Sequence, residues 1–300
     1  MTSATKPNPI LFIHGLWIHS AAWQPWLELF GSHGYTVSAP GWPGDSPTVA
    51  ETRENPDALN DMGIAQMVDH YTELIGTPEV KPVAIGHSFG GLIAQELLAN
   101  GVVAAAIAID PAPIKGVKAL PYAQLKSAFP VLGNPANLHR TVSLTAKQFH
   151  YAFGNTLTEE ESDALHAEWT IPGAGLPLFQ DASANFFPHS PAKVDTHLAE
   201  RGPLLLTSGT EDHVVPLKVT KEVFGKYSKG AADTEFHVFE GKGHSLTIDN
   251  GWKEVADVAL NWLASKGFYP LATNAPADRE IRSPARSRDE CLSPGVWRTP

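Results

Sequence analysis

The segment Gly86-His-Ser88-Phe-Gly90-Gly91 places a serine between glycines two residues to either side. A serine on a sharp strand-to-helix turn stands clear of the sheet, and the strained backbone leaves no room for side chains at those flanking positions. The N-terminus of the following helix also favours negative charge developing there. A serine hydroxyl is a weak nucleophile at neutral pH and needs a base. Among thirteen histidines, His244 in Gly241-Lys-Gly-His244-Ser-Leu is the candidate, because that loop follows a strand and precedes the last helix. In a parallel sheet it therefore opens on the same edge as Ser88. An imidazole base needs a carboxylate to fix its tautomer. Asp212, in Gly209-Thr-Glu-Asp212 after the strand at 204–206, is the expected partner. Asp110 also lies just past a strand end and is the rival. Two backbone N–H groups should receive the oxyanion of an acyl-transfer intermediate. Phe89, next after the nucleophile, supplies one. Leu16, in His14-Gly15-Leu16-Trp17, supplies the other, with Trp17 as the second choice.

The elements that must hold these residues alternate along the chain. Short apolar runs at 9–13, 35–39, 82–85, 105–109, 203–206 and 236–239 have the composition of strands. The segment 64–75 carries apolar residues at helical spacing, and helices are also expected at 92–99, closed by Asn100-Gly101, and at 252–263. Strands alternating with helices imply a mostly parallel central sheet with helices on both faces. The pattern breaks at 112–196, a stretch too long for a connector and free of convincing buried strands. Thr158-Glu-Glu-Glu161 is a capping box opening a helix toward Trp169. The expected organisation is a core over 8–111 and 197–266, a helical lid over 112–196, and a disordered Pro-, Arg- and Ser-rich tail over 267–300.

Composition narrows the partners. The formal charge of −10 argues against nucleic acid or an anionic membrane surface as the main partner and says little about a small neutral molecule; the expected partner is a small-molecule substrate. The one cysteine, Cys291, excludes an intrachain disulfide and a thiolate metal cluster. Residues 1–9 hold Lys6 without an apolar run, so no secretory signal is expected, and 102–109 is too short to span a bilayer. A cytoplasmic enzyme without metal or cofactor is the expectation. His14 and His19, and likewise His213 and His237, are taken as scattered loop and strand residues rather than metal ligands.

His14-Gly15, the Ser88 elbow, the Asp212 loop and Gly243-His244 together resemble the α/β-hydrolase superfamily, in its lidded branch of small esterases, lactonases and non-heme haloperoxidases. The order Ser88, Asp212, His244 is the order of that architecture. The resemblance spans about residues 8 to 266 and implies an α/β-hydrolase fold and an acyl-enzyme. Ser88 stands where related dehalogenases and epoxide hydrolases carry aspartate, which disfavours their chemistry. The family's two opening antiparallel strands have no counterpart, since few residues precede the first strand. The expected reaction is hydrolysis of a carboxylic ester, lactone, thioester, or activated amide or carbamate of a small, largely apolar substrate. The alternatives are a cofactor-free lyase or oxygenase on the same scaffold, or a hydrolase-like ligand receptor. Trp17, Ile18, Trp169 and Phe186 are the expected substrate contacts, with Phe89, Leu176 and Phe187 as further candidates. With an imidazole as base, activity should fall as pH drops below about 6.5.

Overall fold

The computed structural model describes residues 7–270. Strand β1 (Ile10–Ile13) is an unbroken apolar run buried at every position, as a strand covered on both faces must be. Helix α1 (Gln24–Ser32), the short strand β2 (Val37–Ser38), α2 (Val49–Glu54) and α3 (Ile64–Ile75) follow. Next come β3 (Val83–His87), α4 (Phe89–Ala99) and β4 (Ala105–Ile109), with both strands buried throughout. An excursion then holds α5 (Tyr122–Leu132), β5 (Thr141–Val142), α6 (Ala146–Ala152), α7 (Glu159–Trp169), β6 (Gly173–Ala174) and α8 (Leu176–Ala182). The chain returns through β7 (Leu204–Gly209), α9 (Leu217–Tyr227), β8 (Thr234–Phe239) and α10 (Trp252–Ser265).

The central sheet runs β2-β1-β3-β4-β7-β8 with every neighbouring pair parallel. Alternation along the strands splits the interior into two cores, as period-2 side chains require. Ile10, Phe12, Val83, Ile85, Ile107 and Leu205 pack under α1 and α10. Leu11, Ile13, Ala84, Ala106, Ala108 and Leu206 face α3, α4, α9 and part of the excursion. The small alanines of β3 and β4 let α4 lie close to the sheet. Parallel pairing brings the C-terminal ends of β3, β4, β7 and β8 to one edge, where the loops after them meet.

Several expectations shift. Helix α4 starts at Phe89 rather than 92, because Gly90 and Gly91 belong to its first turn instead of preceding it. Strand β2 shortens to two residues because Tyr35 turns into the core and donates its hydroxyl to the Phe268 carbonyl, 2.8 Å away. Helices α1, α2 and α9 were not anticipated; a proline in the first turn of α1 disguises it as loop. The excursion is helical as expected, with one addition: β5 and β6 form a two-stranded antiparallel sheet. No antiparallel strand opens the central sheet among the described residues, and β2 itself is the edge. Its two-residue length limits the free hydrogen-bonding rim, a common protection. Residues 271–300 of the anticipated tail, with Cys291, lie outside the described residues.

The anticipated capping box is present: Thr158 Oγ1 accepts from Glu161 N–H at 3.2 Å, and Glu161 Oε2 accepts from Thr158 N–H at 3.0 Å. Thr158→Ala should lower stability by about 1 kcal/mol, measured as a shift in urea midpoint at unchanged slope. No helix among the described residues is long and apolar enough to cross a membrane.

Candidate active site

The turn from β3 into α4 holds Ser88 at φ 56°, a left-handed backbone that few non-glycine residues adopt. Ser88 N–H donates to the Ile109 carbonyl of β4 at 2.9 Å, which fixes the strained residue against the sheet. The turn is as crowded as its glycines imply: a β-carbon on Gly86 would lie 2.0 Å from the Gly90 carbonyl oxygen. The loop after β1 presses on the same residue, since a β-carbon on Gly15 would lie 2.7 Å from Ser88 Cβ.

His244, fully buried in the loop after β8, meets Asp212 from the loop after β7, with Nδ1 and Oδ2 2.6 Å apart. Asp212 Oδ1 accepts from both Val214 N–H and Val215 N–H at 2.7 Å, so the carboxylate is clamped from two sides. His244 Nε2 is buried and has no hydrogen-bond partner among the described residues. It is therefore free to exchange a proton with a hydroxyl. The Phe153 ring stands edge-on to His244, centroids 4.8 Å apart, and the His87 ring lies 4.5 Å away on another side. Burial, then the neighbouring His244 charge, pushes His87 well below the ordinary histidine range. It stays neutral and adds no repulsion to an imidazolium at His244.

Asp110 belongs to the same cluster. It is fully buried at φ 43°, and both carboxylate oxygens lie 3.1–3.2 Å from the Gly209 N–H. Burial, then the Asp212 charge, raises its carboxyl well above the usual carboxylate range. Burial acts to raise Asp212 too. The His244 charge and the hydrogen bonds from His244, Asp110 and Val215 outweigh that and hold Asp212 below the usual range. Of the two rivals, Asp212 meets the imidazole directly, and Asp110 sits behind it. Atoms of Asp110, Asp212 and His244 lie within 4.8 Å of one another, a grouping that resembles a metal site. Their polar atoms are directed at each other and at backbone N–H groups.

Leu16 N–H and Phe89 N–H both lack an acceptor among the described residues. Phe89 N–H opens α4 and Leu16 follows Gly15, so each belongs to a segment that adjoins Ser88. Trp17 follows at φ 70°, a costly backbone for an aromatic residue. It is held there by Ile171 N–H donating to its carbonyl at 2.8 Å and by its own indole N–H donating to the Val142 carbonyl at 2.9 Å.

Ser88 opens into a cavity of about 290 Å³ between the sheet edge and α5 and α8. Trp17, Phe89, Ile114, Val117 and Val215 form much of its wall, and Phe186, 82% exposed, stands on its rim. Ile18, Trp169 and Leu176 are not among its lining residues. Residues 17–19 pair with 169–171 through the Ile18–Thr170 bridge and His19 N–H to the Trp169 carbonyl, 3.0 Å, and this pairing turns Ile18 and Trp169 into packing. Phe187 faces a separate surface depression.

His19 caps a short turn through Ala21 N–H, and His213 accompanies the Tyr151 carbonyl, consistent with structural roles. His14 is different. Its buried ring sits 2.9 Å from Asp45 Oδ2 and 2.9 Å from the Gly15 carbonyl, stacked on Trp42. It braces the loop that carries Leu16. The sequence signal was Asp45 in the Pro/Gly loop at 40–45. Gln124, Phe153 and Asp181 also border the site without having been anticipated; nothing in their spacing marks them.

Residues 10–258 match the family model described as the alpha/beta hydrolase family. A non-heme chloroperoxidase of Kitasatospora aureofaciens is 28% identical over 265 residues, covering 82% of this chain and 88% of that protein. Among solved structures, a monoacylglycerol lipase of Paleococcus ferrophilus is similar, with TM-score 0.60, 23% identity, and 88% of this chain and 98% of that one covered. A variant of polyneuridine aldehyde esterase is similar as well, with TM-score 0.60, 20% identity, and coverage of 85% and 98%. At these identities the solved structures establish likeness of fold.

Proposed function

The chain belongs to the alpha/beta hydrolase family, and on that premise we propose that it hydrolyses a carboxylic ester of a small, largely apolar substrate through an acyl-enzyme on Ser88. The observation that carries this reading is the buried His244–Asp212 pair at 2.6 Å, with His244 Nε2 unpartnered in the loop cluster around an elbow serine. An arrangement of this kind is a device for moving one proton off a hydroxyl and back onto a leaving group.

In the proposed cycle Ser88 Oγ attacks the ester carbonyl and its proton passes to His244 Nε2. The imidazolium keeps its Nδ1–H on Asp212, whose clamped carboxylate stabilises the charge. Leu16 and Phe89 N–H receive the oxyanion, which collapses as His244 protonates the departing alcohol. Water, deprotonated by His244, then releases the acid and restores Ser88. Lactones, thioesters and activated amides or carbamates pass through the same intermediate. The excursion between β4 and β7 acts as the lid, and its apolar wall next to Ser88 supports an apolar substrate.

Labelling with a fluorescent fluorophosphonate, followed by peptide mapping, tests the reading. One label per chain at Ser88 is expected, abolished in Ser88→Ala and in His244→Ala. Well-folded protein that takes no label would overturn it.

A further inference from the structure

One wall of the cavity carries a group that ester hydrolysis does not use. Asp181 sits in the last turn of α8 and lines the cavity that opens at Ser88. Its carboxyl makes no hydrogen bond or ion pair among the described residues. The placement is unfavourable twice over. A carboxylate is repelled by the carbonyl end of its helix, and Asp181 is half-buried in a cavity wall that also holds Leu178, Ala182 and Ile114. Desolvation raises it to about 8, which favours the protonated form at neutral pH. It can then donate one hydrogen bond and accept others. The preceding residue is tied elsewhere, since Gln180 Oε1 accepts from Ile64 N–H at 2.9 Å.

A second residue of the cavity wall carries an unused polar atom. Gln124 of α5 lines the cavity, and its Oε1 is buried with no hydrogen-bond partner. Helices α5 and α8 pack on each other, so the carboxyl and the amide oxygen come from adjoining walls of one apolar chamber. Unsatisfied polar atoms in such a wall are either a loss of stability or the complement of a ligand. A hydroxyl matches both: it donates to the amide oxygen and accepts from the neutral carboxyl. An ammonium is a poorer match, because it would have to ionise a desolvated acid and shed its own water.

We infer that Asp181 and Gln124 form a polar subsite that selects substrates whose apolar body carries a hydroxyl group at a distance from the scissile ester. This inference takes the reacting end from the proposed ester chemistry, but hydroxyl recognition itself needs no turnover.

The test uses methyl esters of ω-hydroxyalkanoic acids from four to ten carbons, each paired with its isosteric methyl-terminated ester and its ω-amino counterpart. Binding is measured calorimetrically on full-length Ser88→Ala, and kcat/KM on the wild type. At one chain length the hydroxy ester should bind about tenfold or more tightly than its methyl-terminated isostere. Asp181→Leu should erase or reverse that preference, raise affinity for the methyl-terminated ester and raise the melting temperature. Asp181→Asn, which keeps a donor and an acceptor, should retain part of the preference and guards against a folding failure. An unchanged hydroxy-to-methyl ratio in Asp181→Leu at every length, or a preference for the amine, would overturn the inference. Hydroxyl-dependent binding by Ser88→Ala without ester turnover by the wild type would uphold it and sink the hydrolase reading instead.

Discussion

Asp212→Asn is expected to lower kcat for hydrolysis of a p-nitrophenyl ester about 10⁴-fold, the scale of a tautomer inversion in a serine triad. The asparagine oxygen can still accept from Val214 and Val215 N–H, so the loop keeps its shape. Its NH₂ then faces His244 Nδ1, forcing that nitrogen to accept and moving the proton to Nε2, where a base must be bare. Asp110→Asn should behave differently. Burial and the Asp212 charge favour its neutral form; an amide N–H can make the donation of a neutral carboxyl, so kcat should stay within about tenfold. Asp110→Ala removes the donor, leaves the Gly209 N–H without its acceptor, and should cost about 1–3 kcal/mol of stability. Kinetics and melting curves on the three variants check the assignment. A 10⁴-fold loss in Asp110→Asn with an active Asp212→Asn would exchange the two roles.

Gly90→Ala is expected to abolish soluble expression or destabilise by about 3 kcal/mol or more, far outside ordinary surface effects. The added β-carbon would lie 2.1 Å from the Ile13 carbonyl oxygen and 2.6 Å from that of His14. Neither is a flexible side chain that could move aside; both are backbone of β1 and the loop that follows it. Gly225→Ala in the last turn of α9 is the control, since nothing lies within 4 Å of the new carbon. It should gain about 0.5–1 kcal/mol from helix propensity alone. Chemical denaturation of both variants decides the matter. A Gly90→Ala protein as stable as wild type would mean the elbow is less crowded than its geometry says.

The difference between those two glycines also explains what a sequence can disclose. Gly86, Ser88 and Gly90 are local: their spacing along five residues carries the steric requirement, so the elbow was legible. His244 and Asp212 were legible because a parallel sheet delivers the ends of successive strands to one edge, whatever the loops contain. Position favoured Asp212 and kept Asp110 as its rival, and the structure brings both into one buried cluster, Asp212 against His244 and Asp110 against the Gly209 N–H. Trp169 shows the opposite case. An aromatic residue at the end of a helix in the excursion had the composition of a pocket wall, but pairing of its backbone with His19 turns it into packing. Such pairing joins segments about 150 positions apart and leaves no periodic trace in either. Asp181 and Gln124 were invisible for the same reason: an unpartnered carboxyl is defined by what three-dimensional packing fails to provide.

Trp17 is left-handed, and what holds it so is the excursion itself, through Ile171 N–H and the Val142 carbonyl. Arg53 adds a second fastening, donating to the carbonyls of Thr170 and Ala167. The covering segment is therefore riveted to the loop that presents Leu16, and it cannot swing away as a rigid flap without dragging that loop along. On the far side of the cavity Leu125 of α5 is exposed, with Leu120 just before α5 and Phe186 after α8. The arrangement works as an interlock: the margin of the excursion that meets residues 17–19 is bolted to the same loop that bears Leu16.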